Sequence, residues 1–202
     1  NEEETLEDGV HRVIRSAERY NVELDVIIIN DGSTDRTPEI ATNLEKNYHF
    51  IQTVHNERNL GVGTSLVNSL KLVRGEKLLI ISGDGDVGED EISDLFSRMD
   101  KAEMVFLYYL NKEMRGRFRN ALSSFYNVIH VIFFNLYVQY ISGPCIYPVG
   151  KLKKLDLKSK RFSIVAELSV KLLCSGCTFY EVPGYMKRGK VGSSAISFNN
   201  LM

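Results

Sequence analysis

Two carboxylates stand one residue apart in Gly83-Asp84-Gly85-Asp86, directly after the apolar run Lys77-Leu78-Leu79-Ile80-Ile81-Ser82. At that spacing they repel one another and resist desolvation. A divalent cation removes both penalties, and hard carboxylate oxygens suit Mg²⁺ or Mn²⁺. Gly83 and Gly85 let the backbone turn sharply and let a ligand approach closely. The competing reading is a plain acidic turn between a strand and a helix. Two basic segments stand out. Lys112, Arg115, Arg117 and Arg119 cluster ahead of a long apolar stretch, and Lys187-Arg188-Gly189-Lys190-Val191-Gly192-Ser193-Ser194 is glycine-spaced. The second segment suits closure over phosphate groups, with a solvated tail as its alternative.

The elements that must position these groups follow an alternating pattern. The run before Asp84 reads as a fully buried strand, so that the aspartates sit at its carboxyl end, where open α/β sheets bind ligands. Asp25–Ile29, Phe50–Val54 and Glu103–Leu110 read as further strands, and Thr178–Pro183 as a short one ended by proline. Leu6, Val10, Val13, Ile14 and Ala17 follow helical spacing, with Asn1 as a candidate cap ahead of an acidic first turn. Helices are predicted near Thr37–Lys46, from Val62 through Val73, around Ile92–Met99 and over Phe162–Cys174, the last carrying Glu167. The order implies an α/β domain with a mostly parallel sheet and helices on both faces. A long helix from Phe118 to Tyr140, broken by Ser142-Gly143-Pro144, carries aromatic residues behind its basic start. That composition suits a membrane interface or a helix buried under the sheet. His130 within it reads as a packed histidine.

Length and composition bound the rest. At 202 residues the chain suffices for one domain with a substantial core. Its net charge of −1 gives no basic field for nucleic acid. Cys145, Cys174 and Cys177 form no set of metal-type pairs and read as reduced thiols of a cytosolic environment. No uninterrupted apolar run is long enough to span a bilayer.

Taken together, four segments resemble the family 2 glycosyltransferases of GT-A fold. Asn1-Glu2-Glu3 is similar to the end of that family's opening motif, Val26–Thr37 (VIIINDGSTDRT) to its second strand and turn, and Asn59-Leu60-Gly61 to its Asn-x-Gly segment. Gly83–Asp86 is similar to its Asp-x-Asp metal motif. The second half resembles the polyprenyl-phosphate branch, of which dolichyl-phosphate mannose synthases are members. Arg119-x-x-x-Ser123 is similar to its Arg/Ser helix, Phe162–Glu167 and Phe179–Pro183 to later segments, and Arg188 through Ser194 to its basic loop. Asn30 stands where the family often has an aspartate, Gln139 where the branch usually has one, and Pro144-Cys145 and Pro148 replace its Phe-Arg and a later Arg. These departures bear on the acceptor more than on the donor. The first strand of that fold would precede Asn1, and the expectation is that these residues are part of a longer chain, continuing at the other end toward membrane segments.

The resemblance implies inverting transfer of a hexose from a nucleotide sugar to a polyprenyl or dolichyl phosphate at the cytoplasmic face of a membrane. Residues 1–110 would form the nucleotide-sugar half and 111–202 the acceptor and membrane-interface half of one catalytic domain. Asp86, with Asp84, would hold the metal on the donor diphosphate. Asp31 would accept a hydrogen bond from the base, with Asn1, Glu2 and Gly61 around the donor. Arg115, Arg117, Arg119, Ser123, Arg188 and Ser194 are candidates to bind the acceptor phosphate or the diphosphate. An ionised phosphate acceptor needs little general base. A hydroxyl acceptor needs one, and Glu167 is then the candidate, its alternative being a structural ion-pair carboxylate. The rival readings are a transferase with a sugar or protein hydroxyl as acceptor, and an inactive nucleotide-sugar-binding scaffold. A nucleotidyltransferase fits the Asn-Asp-Gly-Ser turn poorly.

Overall fold

A computed structural model of the chain describes residues 1–111 and 117–185, with the backbone alone at 117–123, 126 and 127. Strand β1 (Val26–Asp31) pairs in parallel with β2 (Ile51–Asn56), Val26 opposite Ile51 and Asp31 opposite Asn56. Its β-branched residues suit a pleated, two-sided packing surface. A second sheet runs β3-β5-β4-β6, from β3 (Lys77–Leu79), β4 (Met104–Tyr109), β5 (Cys145–Pro148) and β6 (Phe179–Gly184). β4 and β6 are parallel, while β5 lies antiparallel between β3 and β4.

The helices are α1 (Leu6–Arg19), α2 (Thr37–Asn47), α3 (Val62–Ser69), α4 (Glu89–Ser97), α5 (Arg117–Phe134), the single turn α6 (Val149–Leu152) and α7 (Ser163–Cys174). They cover both faces of the four-stranded sheet. On one face, Met104 and Phe106 of β4 and Tyr147 of β5 meet Leu66 and Leu70 beside α3 and Ile164, Leu168 and Leu172 of α7. On the other, Val105, Leu107, Ile146 and Val182 meet Ala17 of α1 and Ile92, Leu95 and Phe96 of α4. Alternate residues of β4 therefore enter opposite cores, as the two-residue period of a strand requires. A third cluster joins α1 to the β1-β2 pair through Leu6, Val10, Ile28, Ala41, Leu44 and Ile51.

Four expectations change. The run ahead of Asp84 pairs only at Lys77–Leu79 and is half-buried, because β5 holds one edge and no strand among the described residues holds the other. The long helix ends at Phe134, eight residues before Ser142, where Asn135 turns the chain at φ 54°. Asparagine tolerates that left-handed conformation better than other non-glycine residues. Cys145–Pro148 is a strand in the middle of a sheet, so Cys145 is a core side chain. Asn1 does not cap α1, which begins after Thr5. His130 is buried, its ring 5.9 Å from that of Phe134.

Candidate active site

The Asp84–Asp86 turn is built by its own glycine and by α1. Gly85 adopts φ +74°, which side chains rarely tolerate, and Asp84 Oδ1 accepts the Asp86 amide at 3.1 Å. Thr5 Oγ1 lies 2.8 Å from Gly83 O and 3.0 Å from Glu2 Oε2, its single proton shared between the two acceptors. Arg12 Nη1 donates to Gly85 O at 3.0 Å and to Val87 O at 3.3 Å. Three carbonyls of the turn therefore meet donors from α1 and the residue ahead of it, which leaves its aspartates on a braced loop. Helix α1 is in turn tied to α4 by Arg15 and Arg19 on Glu89 and by Ser16 Oγ on the Glu89 carbonyl.

The amino-terminal residues bridge this turn to the one after β1. Asn1 Oδ1 accepts the Thr34 amide at 2.8 Å, Glu2 donates its amide to Thr37 Oγ1 at 2.7 Å, and Glu3 accepts the Arg36 amide at 3.0 Å. A β-carbon on Gly83 would come within 3.6 Å of the Glu2 side chain. Asn1, Glu2, the 33–37 turn and the Asp84 loop thus gather where β1 and β3 end.

Asp31 closes β1 and faces α3. Its Oδ1 accepts from Asn56 Nδ2, Leu60 N and Ser65 Oγ at 2.8, 2.9 and 2.8 Å, and its Oδ2 from Gly61 N at 2.8 Å. Partial burial pushes this carboxyl up, but the bonds from Leu60, Asn56, Ser65 and Gly61 outweigh it and hold the group below the ordinary aspartate range. Oδ1 is saturated while Oδ2 has one donor, so acceptor capacity remains on Oδ2. Asp31 also sits at the amino terminus of α3, where a helix dipole favours negative charge. On the opposite face of β1, Asn30 Nδ2 meets His55 Nδ1 at 3.2 Å, and His55 Nε2 meets Thr42 Oγ1 at 3.3 Å. These residues border an open groove of about 620 Å³ that also touches Lys46 and Glu57.

Glu167 stands apart from the aspartates. It takes Lys158 N at 3.0 Å, Ser159 N at 2.7 Å and Lys171 Nζ at 2.6 Å. Partial burial works against its charge, but the bonds from Lys171, Ser159 and Lys158 hold its pKa down at about 2. Arg117, Arg119 and Ser123 lie in the first turns of α5, and Arg115, Arg188 and Ser194 lie outside the described residues. Sequence reasoning missed Thr5 and Arg12 as braces of the aspartate turn. Their signal was an arginine on the first helix and a threonine just ahead of it, legible only once that helix lies against the loop. It also missed Glu91, which is buried and accepts the Tyr185 amide at 3.1 Å, the residue from which the basic carboxyl-terminal segment departs.

The family described as glycosyl transferase family 2 matches this chain over residues 1–152. The chain belongs to that family. Among its family 2 relatives, a dolichyl-phosphate beta-glucosyltransferase, ALG5C of Trichomonas vaginalis, is 30% identical over 99 residues, covering 49% of this chain and 28% of that protein. ALG5A of the same organism is 32% identical over 88 residues, 40% of this chain and 27% of that one. The abequosyltransferase RfbV of Salmonella typhimurium is 28% identical over 108 residues, 53% of this chain and 32% of its own. The chain thus spans only about a quarter to a third of these relatives. Glucosyl-3-phosphoglycerate synthase of Mycobacterium tuberculosis, solved with Mn²⁺, UDP-glucose and phosphoglyceric acid, superposes with a TM-score of 0.68 at 17% identity, covering 94% of this chain and 68% of that one. The same enzyme with Mg²⁺ and UDP gives 0.69. These likenesses establish the GT-A fold that the motifs implied.

Asp84 and Asp86 are the residues of this turn that would hold a divalent ion. Asp84 and Asp86 offer hard oxygens on a braced loop, and no cluster of three or more ligating side chains forms among the described residues. An ion held by these two carboxylates would supply charge neutralisation to phosphate oxygens.

Proposed function

We propose that this chain is the catalytic part of an inverting hexosyltransferase that moves a sugar from a nucleotide donor to a polyprenyl or dolichyl phosphate at the cytoplasmic face of a membrane. The observation that carries this reading is the convergence at the ends of β1 and β3, where the braced Asp84–Asp86 turn meets Asn1 and Glu2. On this reading Asp31 Oδ2 accepts an N–H of the base, and the backbone around Gly61 lies close to the nucleoside. A divalent ion held by Asp84 and Asp86 would supply charge neutralisation to the departing nucleotide diphosphate. The acceptor phosphate, ionised near neutral pH, attacks the anomeric carbon as the bond to the diphosphate oxygen breaks. No proton needs removal, so the site needs no general base. Arg117, Arg119, Arg188, Ser123 and Ser194 are assigned to the acceptor or diphosphate oxygens, with residues 1–110 serving the donor and 111–202 the acceptor.

A lipid acceptor is supported by the dolichyl-phosphate relatives and by the surface of α5. Phe125, Ile132, Phe133 and Tyr137 are 63 to 74% exposed, next to exposed Val128 and Phe134. No acidic residue occurs from Met114 through Leu155. An exposed aromatic surface on an acid-free stretch suits an anionic lipid interface. Among the described residues no helix is long and apolar enough to cross a membrane. The reading with a hydroxyl acceptor would make Glu167 the base. Its low pKa and its three bound donors make it a poor one.

Calorimetric titration with UDP-glucose, UDP-GlcNAc and GDP-mannose, in Mn²⁺ and then EDTA, tests the donor half. Metal-dependent binding of one donor is expected. Labelled sugar that then moves into an organic-solvent extract with dolichyl phosphate establishes the acceptor, whereas transfer only to a soluble hydroxyl compound selects the rival reading. Failure of the folded protein to bind any nucleotide sugar overturns both.

A further inference from the structure

We propose that Glu167 is a positioning residue for the nucleoside end of the donor site, acting through the 158–160 loop on the amino terminus of α3. The inference rests on reading Asp31 and Gly61 as donor-binding. The first amides of a helix have no partner within it, and those at and just ahead of the start of α3 reach two distant acceptors. Leu60 N and Gly61 N go to Asp31, Gly61 N being shared with Asn59 Oδ1. Gly63 N and Thr64 N go to the carbonyl of Lys160, at 3.1 and 3.3 Å. One side of the helix start is thus held by the residue assigned to the base, and the other by a loop nearly a hundred residues further along the chain.

That loop is held by Glu167. The carboxylate spans Lys158 N and Ser159 N, which aims the next carbonyl, that of Lys160, at α3. Lys171, one turn further along α7, donates to the same carboxylate and to the Asp156 carbonyl, pinning the loop at a third point. The two backbones approach so closely that only glycine fits. A β-carbon on Gly63 would lie 2.4 Å from Ser159 O and 2.6 Å from the Lys160 carbonyl carbon, and one on Gly61 would lie 2.6 Å from Lys160 O. Gly61 also has φ +88°. Contact between backbones transmits displacement with little slack, because no side chain can rotate to absorb it. Loss of the Glu167 charge releases the loop, frees two helix amides and lets α3 shift against Asp31. Its low pKa keeps this carboxylate charged throughout the neutral range, as a fixed anchor requires and a proton acceptor does not.

The test compares wild type, Glu167→Gln and Gly63→Ala in the intact protein. Gly63→Ala presses on the same contact from the other side and leaves the carboxylate in place. For the donor that binds wild type with Mn²⁺, both variants are expected to raise Kd and donor KM about tenfold, the equivalent of one lost charge-assisted hydrogen bond. The kcat at saturating donor and its pH profile should stay within about twofold. Amide exchange at Gly63 and Thr64 should accelerate in Glu167→Gln with no donor present. A large fall in kcat with KM unchanged would identify Glu167 as a base and overturn the proposal. So would a lowered melting temperature with undiminished donor affinity, which marks a merely structural anchor. If wild type binds no nucleotide sugar, the functional reading fails first, an outcome distinct from wild-type binding that the variants leave intact.

Discussion

At the scale of single residues, carboxylates divide into those we propose to meet a ligand and those that anchor a loop. Asp84 and Asp86, proposed for the first class, lie on a turn whose carbonyls are gripped by Thr5 and Arg12. Asp86→Asn removes half of the charge available to a divalent ion, and it should abolish Mn²⁺-dependent donor binding by calorimetry while leaving the melting temperature near that of wild type. Glu167 belongs to the second class. Its pKa of about 2 lies below the ordinary value of 4.5. A depressed carboxyl contributes stability that is complete above the unfolded pKa and is lost as pH falls toward the folded one. Between about pH 4.5 and 2, unfolding free energy should fall by on the order of 1–3 kcal/mol from this group, its remaining exposure screening part of the effect. Denaturant titrations across that window should show a shallower acid slope in Glu167→Gln. Asp31, also depressed, adds loss of the same sign at low pH.

At the scale of elements, α1 is the brace and α5 the outward-facing surface. Arg12 reaches two carbonyls of the aspartate turn from one guanidinium. Arg12→Met keeps the length of the side chain and removes both bonds. It should weaken metal-dependent donor binding roughly five- to tenfold, with faster amide exchange at Gly85 and Val87 as the structural readout. Helix α5 carries Phe125, Ile132 and Phe133 toward solvent, a combination that water does not stabilise. If this surface meets lipid, changing all three to Ser should reduce co-sedimentation with anionic vesicles at least about tenfold while donor binding stays unchanged. Equal sedimentation of variant and wild type would remove α5 from the acceptor half. The early end of α5 at Asn135 belongs to this scale too. Apolar periodicity continues through Val138 and Ile141, yet those two side chains serve the core from an irregular segment, since burial asks only for an apolar group and not for a helix.

At the scale of the whole molecule, the four-stranded sheet is the partition between two cores, and β5 is its least expected part. Tyr147 is fully buried on β5 and bonds Ser169 Oγ of α7 at 3.1 Å. Tyr147→Ala leaves a cavity and removes one of the two bonds of Ser169 Oγ, which keeps the Val165 carbonyl, and should cost about 3–5 kcal/mol, measurable as a lowered denaturation midpoint. The same fully buried ring should make this the most damaging substitution named here that touches no ligand. Much of this architecture was legible in the residues. The β-branched and aromatic runs gave β1, β2 and β4 within a residue or two, and the glycine- and aspartate-rich turns that follow β1 and β3 were legible as turns, because those turns are local and are written in residue type. Cys145–Pro148 escaped notice because four residues that follow one proline and end in another carry no period, and only pairing on both edges makes them a strand. The hydrogen-bond partners of Asp31 and Glu167 escaped for a related reason. A carboxylate in a sequence has no partners, and whether it stays open to a ligand or is consumed by backbone amides depends on which loop folds over it. What the sequence determined alone was the order of the strands and helices other than β5 and α6, and the kinds of side-chain atom available. The tertiary structure decided which of those atoms are committed to the chain, because that commitment is made by groups dozens of residues away.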